Sequence, residues 1–127
     1  MNIHESAEDY LEMILMLKNK KGYARSVDIA AQLGVTKPSV SFAMKRLREN
    51  GYITMDDDSL ITLTEQGEMI ASRILDRHTM LTCFLCALGI PEDIARKDAC
   101  KIEHDISDVT FEAMKRHMEL HSLKESE

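Results

Sequence analysis

The chain has 127 residues, a formal net charge of −6, 44% apolar residues, three cysteines and no tryptophan. That length fits one domain or two small ones sharing a core, and the apolar fraction is enough to fill it. The acidic balance excludes a protein that coats nucleic acid with its whole surface, while leaving room for a local basic patch. No apolar run reaches the roughly 18 residues that a membrane span needs, and the N-terminal sequence lacks the charged-then-apolar pattern of a secretory signal. The cytoplasm is therefore the expected compartment, in which Cys83, Cys86 and Cys100 are reduced thiols or ligands rather than a disulfide framework.

Ser6, with Asp9 three residues on, has the form of a capping box and predicts a helix over residues 6–18. Tyr10, Ile14 and Leu17 share one face of it. Asp9 and Glu12 stand on one side, a turn apart. The helix dipole favours two acids at this end without any further role, and as a pair they also offer oxygen donors to a cation. A polar, glycine-containing link follows over residues 19–23, and Arg25 beyond it is in reach of a phosphate.

Residues 24–52 organise the rest. Ile29, Ala30 and Leu33 have one-face helical spacing, with Ser26 as the expected N-cap and Gly34 as a left-handed stop. A second helix is predicted from Thr36, with Pro38 in its first turn, where the missing amide hydrogen costs little. Val40, Ala43, Met44 and Leu47 converge on its inner face, and Ser39, Phe42, Lys45 and Arg46 point outward. Lys37, Lys45, Arg46 and Arg48 face Glu49 as the lone acid of this segment, a local positive excess of the kind phosphate contact requires. Two short helices, a glycine turn and a basic outer face describe a helix-turn-helix. Alternating residues at 53–55 and 60–63 flank Asp56, Asp57 and Asp58 and predict a β-hairpin. A hairpin directly after a recognition helix is the wing of a winged helix.

Thr64 can cap a long helix to about residue 88, with Met69, Ile70, Ile74, Leu81, Phe84 and Leu85 as its apolar positions. Taken alone, His78 reads as an ordinary surface or core histidine. Cys83-Phe84-Leu85-Cys86 lies inside this helix, without the context of a redox or zinc motif, and is read as two buried thiols. Gly89, Ile90 and Pro91 break the chain before another helix. In that helix Cys100 precedes Glu103 by three residues and His104 by four, so all three can project to one side. A thiolate, a carboxylate and an imidazole crowded together suit a divalent transition metal. A last helix is predicted over residues 108–120, with a frayed tail and a solvated His117/His121 pair. No glycine-rich phosphate loop or nucleophile constellation is found, so no enzyme is expected.

The chain resembles the DtxR/MntR family of metal-dependent bacterial repressors, in particular its shorter manganese-regulator branch, which lacks the SH3-like domain of longer members. The carriers are Glu8-Asp9-Tyr10-Leu11-Glu12, Gly22-Tyr23-Ala24-Arg25, Asp28-Ile29-Ala30, Pro38-Ser39-Val40-Ser41, Leu63-Thr64 with Gly67, Arg77-His78 and Ile102-Glu103-His104. The resemblance implies a mainly α protein: a winged helix-turn-helix with a small β-hairpin wing over residues 1–70, then an all-α metal-binding and dimerisation domain over 71–127. It carries metal ligation over to Asp9, Glu12, His78, Cys100, Glu103 and His104. DNA contact would fall to Arg25, Thr36, Lys37, Pro38, Ser39, Ser41, Phe42, Lys45 and Arg46.

The implied function is transcriptional repression by a homodimer on a palindromic duplex operator, with Mn²⁺ or Fe²⁺ as co-repressor in metal homeostasis. Neither a membrane nor a small organic ligand is expected as a partner. The manganese branch usually has glutamate where this chain has Cys100, and the iron branch has methionine where it has Asp9, so the site is a hybrid. The acidic wing tip is unsuited to phosphate, and Phe42 replaces an often polar residue in a position from which it can pack on thymine methyl groups. The alternatives are a winged-helix regulator sensing thiol oxidation or an organic ligand, and a metal-buffering helical protein.

Overall fold

In a computed structural model of the chain the described residues are 5–126, with side chains described from 6 to 120. They form α1 (Glu5–Lys21), α2 (Ser26–Leu33), α3 (Lys37–Glu49), β1 (Ile53–Met55), β2 (Ile61–Leu63), α4 (Glu65–Ala87), α5 (Glu92–Ile102) and α6 (Asp108–Ser126). The chain divides into two compact units, and the boundary falls within α4, after Arg73.

The N-terminal unit is built on apolar helix faces that the helical spacing predicts in part: Tyr10, Leu33 and Ala43 are only partly buried, and Leu11 and Leu15 take core positions that it did not name. Leu11, Ile14, Leu15 and Leu17 of α1, Ile29 and Ala30 of α2, and Val40, Met44 and Leu47 of α3 are buried, as are Ile53, Ile61 and Leu63 of the hairpin. Burial of each large aliphatic side chain contributes on the order of 1.5–3 kcal/mol, which makes this shared face the main source of stability for helices too short to persist alone. Gly34 ends α2 at φ 67°, ψ 33°, as expected. Ser26 does not cap α2, however. Arg25 is the N-cap residue and makes no side-chain cap bond, because the helix begins one residue earlier than its serine suggested. Thr36 does cap α3, its Oγ1 accepting from the Ser39 amide at 3.3 Å.

β1 and β2 pair antiparallel, with Ile53 opposite Leu63, Thr54 opposite Thr62 and Met55 opposite Ile61. The wing is anchored at both ends. The Ile61 amide donates to the Ala24 carbonyl at 2.9 Å, tying β2 to the chain just ahead of α2. At the other end the Thr64 hydroxyl donates to the Gly51 carbonyl at 2.6 Å and accepts from the Gly67 amide at 3.2 Å, so one side chain caps α4 and holds the exit of α3. Gly67 is needed here, since a Cβ on it would lie 2.0 Å from the Tyr52 carbonyl oxygen. At the tip, Asp56 Oδ1 accepts from the amides of Asp58 and Leu60, both at 2.9 Å. This carboxylate is committed to shaping the turn, which explains part of the acidity that phosphate contact would not favour.

In the C-terminal unit Ile74 and Leu81 of α4, Ala95 and Ala99 of α5, and Phe111 of α6 are buried. The two fully buried alanines leave α5 a flat inner face that permits close helix packing. Arg77 is also buried: it donates to the carbonyls of Glu103 at 3.0 Å and Ile106 at 2.9 Å, and pairs with the Asp108 carboxylate. Its guanidinium also lies over the Phe111 ring, 5.2 Å from the centroid. One side chain therefore joins α4 to the α5–α6 turn and to the first turns of α6.

Three expectations need correction. Cys83 and Cys86 are exposed, not buried: they lie on the outer side of α4, whereas Leu81 faces inward. Met69 is 69% exposed and is not a core position. α6 continues to Ser126, past the predicted end at residue 120, and the His121 side chain lies outside the described residues.

Candidate metal centre and nucleic-acid interface

The chemistry of the C-terminal unit converges on Glu103. This residue is the C-cap of α5, in αR conformation, with its amide donating to the Ala99 carbonyl. Its carbonyl is held by Arg77. Fixed at both backbone ends, the side chain is directed inward and is wholly buried. Glu103 Oε2 lies 2.9 Å from Nδ1 of His78, which approaches from α4. Its Oε1 accepts no hydrogen bond and faces His104 Nε2 at 3.4 Å.

The predicted side-by-side projection of Cys100, Glu103 and His104 is found, with one donor atom of each within 4.8 Å of the others. It arises differently from the prediction, because α5 ends at Ile102 and His104 sits in the turn beyond it. The His104 side chain is 2% exposed. A buried carboxylate with two imidazoles and a thiol around it is costly to leave dry, and this mixed O, N and S set is what a first-row divalent transition ion takes. The donors present therefore fit such an ion.

In the N-terminal unit Asp9 and Glu12 lie on α1, Glu12 being buried and Asp9 partly so. Glu8, in the same turn, pairs with Arg73 at 3.2 Å. The carboxylates at the start of this core helix are thus drawn at least partly out of solvent, Glu8 by its pairing with Arg73.

The second candidate site is the outer face of α3. Lys37, Pro38, Ser39, Ser41, Phe42, Lys45 and Arg46 are all exposed, while Val40, Met44 and Leu47 point into the core. Thr36 is exposed too, although its hydroxyl is engaged with Ser39, donating to Oγ at 2.8 Å. Arg25 lies over the Tyr23 ring at 5.6 Å, next to the start of α2. Cationic and small polar groups on one helix face can meet phosphates and base edges at once. The role of Arg77 was missed by sequence reasoning. The signal was present, since Ile70, Ile74, Arg77 and Leu81 fall on one helical stripe, and an arginine in a core stripe needs buried acceptors.

Residues 2–59 match the iron dependent repressor N-terminal DNA binding domain, and residues 64–122 the iron dependent repressor metal binding and dimerisation domain. The transcriptional regulator MntR of Escherichia coli O157:H7 is 39% identical over 120 residues, which are 94% of this chain and 77% of that protein. Among solved structures, the manganese regulator SloR is similar at TM-score 0.79 and 28% identity, over 94% of this chain and 55% of that one. IdeR of T. acidophilum is similar at TM-score 0.78 and 28% identity, over 93% and 55%. The chain thus spans about half the length of these solved relatives. On its matched domains and its relatives, the chain belongs to the DtxR/MntR family of metal-dependent transcriptional repressors.

Proposed function

We propose that the chain is a metal-dependent transcriptional repressor that acts in the cytoplasm as a homodimer on a palindromic duplex operator and controls genes of metal homeostasis. Its co-repressor is Mn²⁺ or Fe²⁺, in keeping with relatives described as manganese regulators and iron dependent repressors. The observation that carries this reading is the buried Glu103 carboxylate flanked by His78 and His104, in a chain whose other unit is a winged helix. The proposed ligands are Asp9, Glu12, His78, Cys100, Glu103 and His104.

When bound, a divalent cation supplies the charge that offsets repulsion among these carboxylates. The residues themselves do the rest. Arg77 holds Glu103 and the α5–α6 turn in place, Asp9 and Glu12 bring the DNA-binding unit into the same ligand set, and α3 presents its basic face to the major groove. Exposed Leu88, Ile94 and Val109 in the C-terminal unit supply apolar surface for a second copy. The reading includes no enzymatic activity. Among the described residues, no helix is long and apolar enough to cross a membrane.

The test is operator binding by gel shift with Mn²⁺, Fe²⁺, Zn²⁺ and chelator side by side, for the wild type and Glu103→Ala. Metal should stimulate binding by the wild type and leave the variant unaffected while its helicity is retained. A wild-type metal response in Glu103→Ala would remove this site as the sensor. Binding that persists in chelator and is lost on oxidation would instead favour exposed Cys83 and Cys86 as the sensing groups.

A further inference from the structure

Phe42 is the anomaly on the face of α3. It is 62% exposed, although its neighbours on that face are Ser39, Ser41, Lys45 and Arg46. The guanidinium of Arg46, one turn on, lies 5.7 Å from the centroid of its ring. Both Phe42 and Arg46 also line a cleft of about 430 Å³ between α1 and α3, together with Tyr10, Ser39, Ala43 and Leu47. The ring is therefore an exposed apolar group held next to a cation and beside a space that a small apolar group can enter.

The occupant follows from charge and from the chemistry of the groove. α3 carries Lys37, Lys45, Arg46 and Arg48 against Glu49 alone in a protein of net charge −6, so the face is built for a polyanion. In the major groove the only apolar group that a base pair presents is the thymine C5 methyl. A phenyl ring offers nothing to the donors and acceptors of guanine, cytosine or adenine, and docking on them would strip water without replacing its hydrogen bonds. We infer that Phe42 is a specificity-determining residue that reads one thymine in each half-site through its methyl group. Arg46 acts as the positioning residue that holds the ring across the groove. The inference rests on the reading of α3 as the recognition helix.

The test uses the full chain with MnCl₂ and duplexes enriched by it from a random pool. Thymines are then replaced singly by deoxyuridine, which removes the methyl and nothing else. Burying one methyl is worth about 0.8 kcal/mol, so deoxyuridine at the read position should weaken wild-type binding about fourfold per half-site. Phe42→Ala should bind the thymine and deoxyuridine duplexes equally. Enrichment repeated with Phe42→Gln should replace the thymine at that position by adenine, which glutamine reads through N6 and N7. Wild-type indifference to every deoxyuridine, or retention of the sensitivity in Phe42→Ala, would overturn the assignment of Phe42 while leaving the recognition helix intact. Failure to enrich any duplex would overturn the recognition-helix reading and this inference with it.

Discussion

Among the proposed ligands, the one whose chemistry bears most on which ion is preferred is Cys100. Carboxylate and imidazole donors around Glu103 are compatible with a range of divalent ions, but a thiolate shifts preference from Mn²⁺ toward softer Fe²⁺, Co²⁺ or Zn²⁺. Replacing it by a carboxylate removes the only sulfur donor of the proposed set without shortening the reach of the side chain. We predict that Cys100→Glu raises the affinity for Mn²⁺ relative to Zn²⁺ by about tenfold, a change of about 1.4 kcal/mol in relative binding. Anaerobic calorimetry with both ions measures it, and an unchanged ratio would mean that the sulfur is not a ligand. Arg77 shows the opposite kind of residue, one that sets the site without contributing a donor. It fixes the Glu103 carbonyl and the turn after it, so the carboxylate has little freedom to retreat from His78.

At the scale of elements, the junction between the wing and α4 turns on one close approach. Gly67 in the first turns of α4 packs against the Tyr52 carbonyl, and a methyl there would meet backbone rather than a yielding side chain. Either α4 must move away or the Tyr52 peptide must turn, which would also strain the bond from the Thr64 amide to the Tyr52 carbonyl, 3.0 Å long. We predict that Gly67→Ala destabilises the protein by about 3 kcal/mol, at the upper end of ordinary overpacking costs. Thermal unfolding would register this as a clear drop in Tm, and a Tm equal to the wild type would show that the wing junction is looser than its geometry.

The same junction marks how far the sequence could be read. Helical spacing gave Val40, Met44 and Leu47 of α3 and Ile14 and Leu17 of α1, though not Leu11 and Leu15, and it gave the glycine stop of α2 and the hairpin, because each is a local pattern imposed by burial on one side. The turn role of Asp56 was hidden, since a side chain that bonds amides two and four residues on looks like any exposed acid in a charge run. Cys83 and Cys86 were misread for the converse reason. Flanking Phe84 and Leu85 suggested a packed segment, yet spacing cannot say which side of a helix is covered. In the candidate metal centre, Cys100, Glu103 and His104 were legible from their spacing. His78, by contrast, is 25 positions from Glu103 in sequence, and only the resemblance carried it into the ligand set.

At the scale of the whole molecule, the proposed ligand set takes residues from each unit, and on that proposal metal and DNA would be partners in one equilibrium. Asp9, Glu12 and Glu103 each carry a carboxylate, and gathering three like charges is unfavourable until a cation shares them. If the DNA-bound arrangement is the one in which they gather, each ligand must strengthen the other by the same factor, whatever route connects them. A typical coupling of about 1–3 kcal/mol corresponds to roughly 5- to 150-fold. We therefore predict that saturating Mn²⁺ tightens operator binding within this range, and that saturating operator tightens Mn²⁺ binding by an equal factor. Fluorescence anisotropy at fixed ionic strength gives the first quantity, and competition with a chromophoric chelator gives the second. Fixed ionic strength matters because the proposed contacts of Lys37, Lys45 and Arg46 with phosphate would be salt-dependent on their own account. Glu103→Gln keeps the size of the side chain but removes its charge, and should bring both factors close to one. Equal, tight operator binding with and without metal would show instead that the gathered arrangement exists unaided, and that the ion stabilises the fold without controlling the grip on DNA.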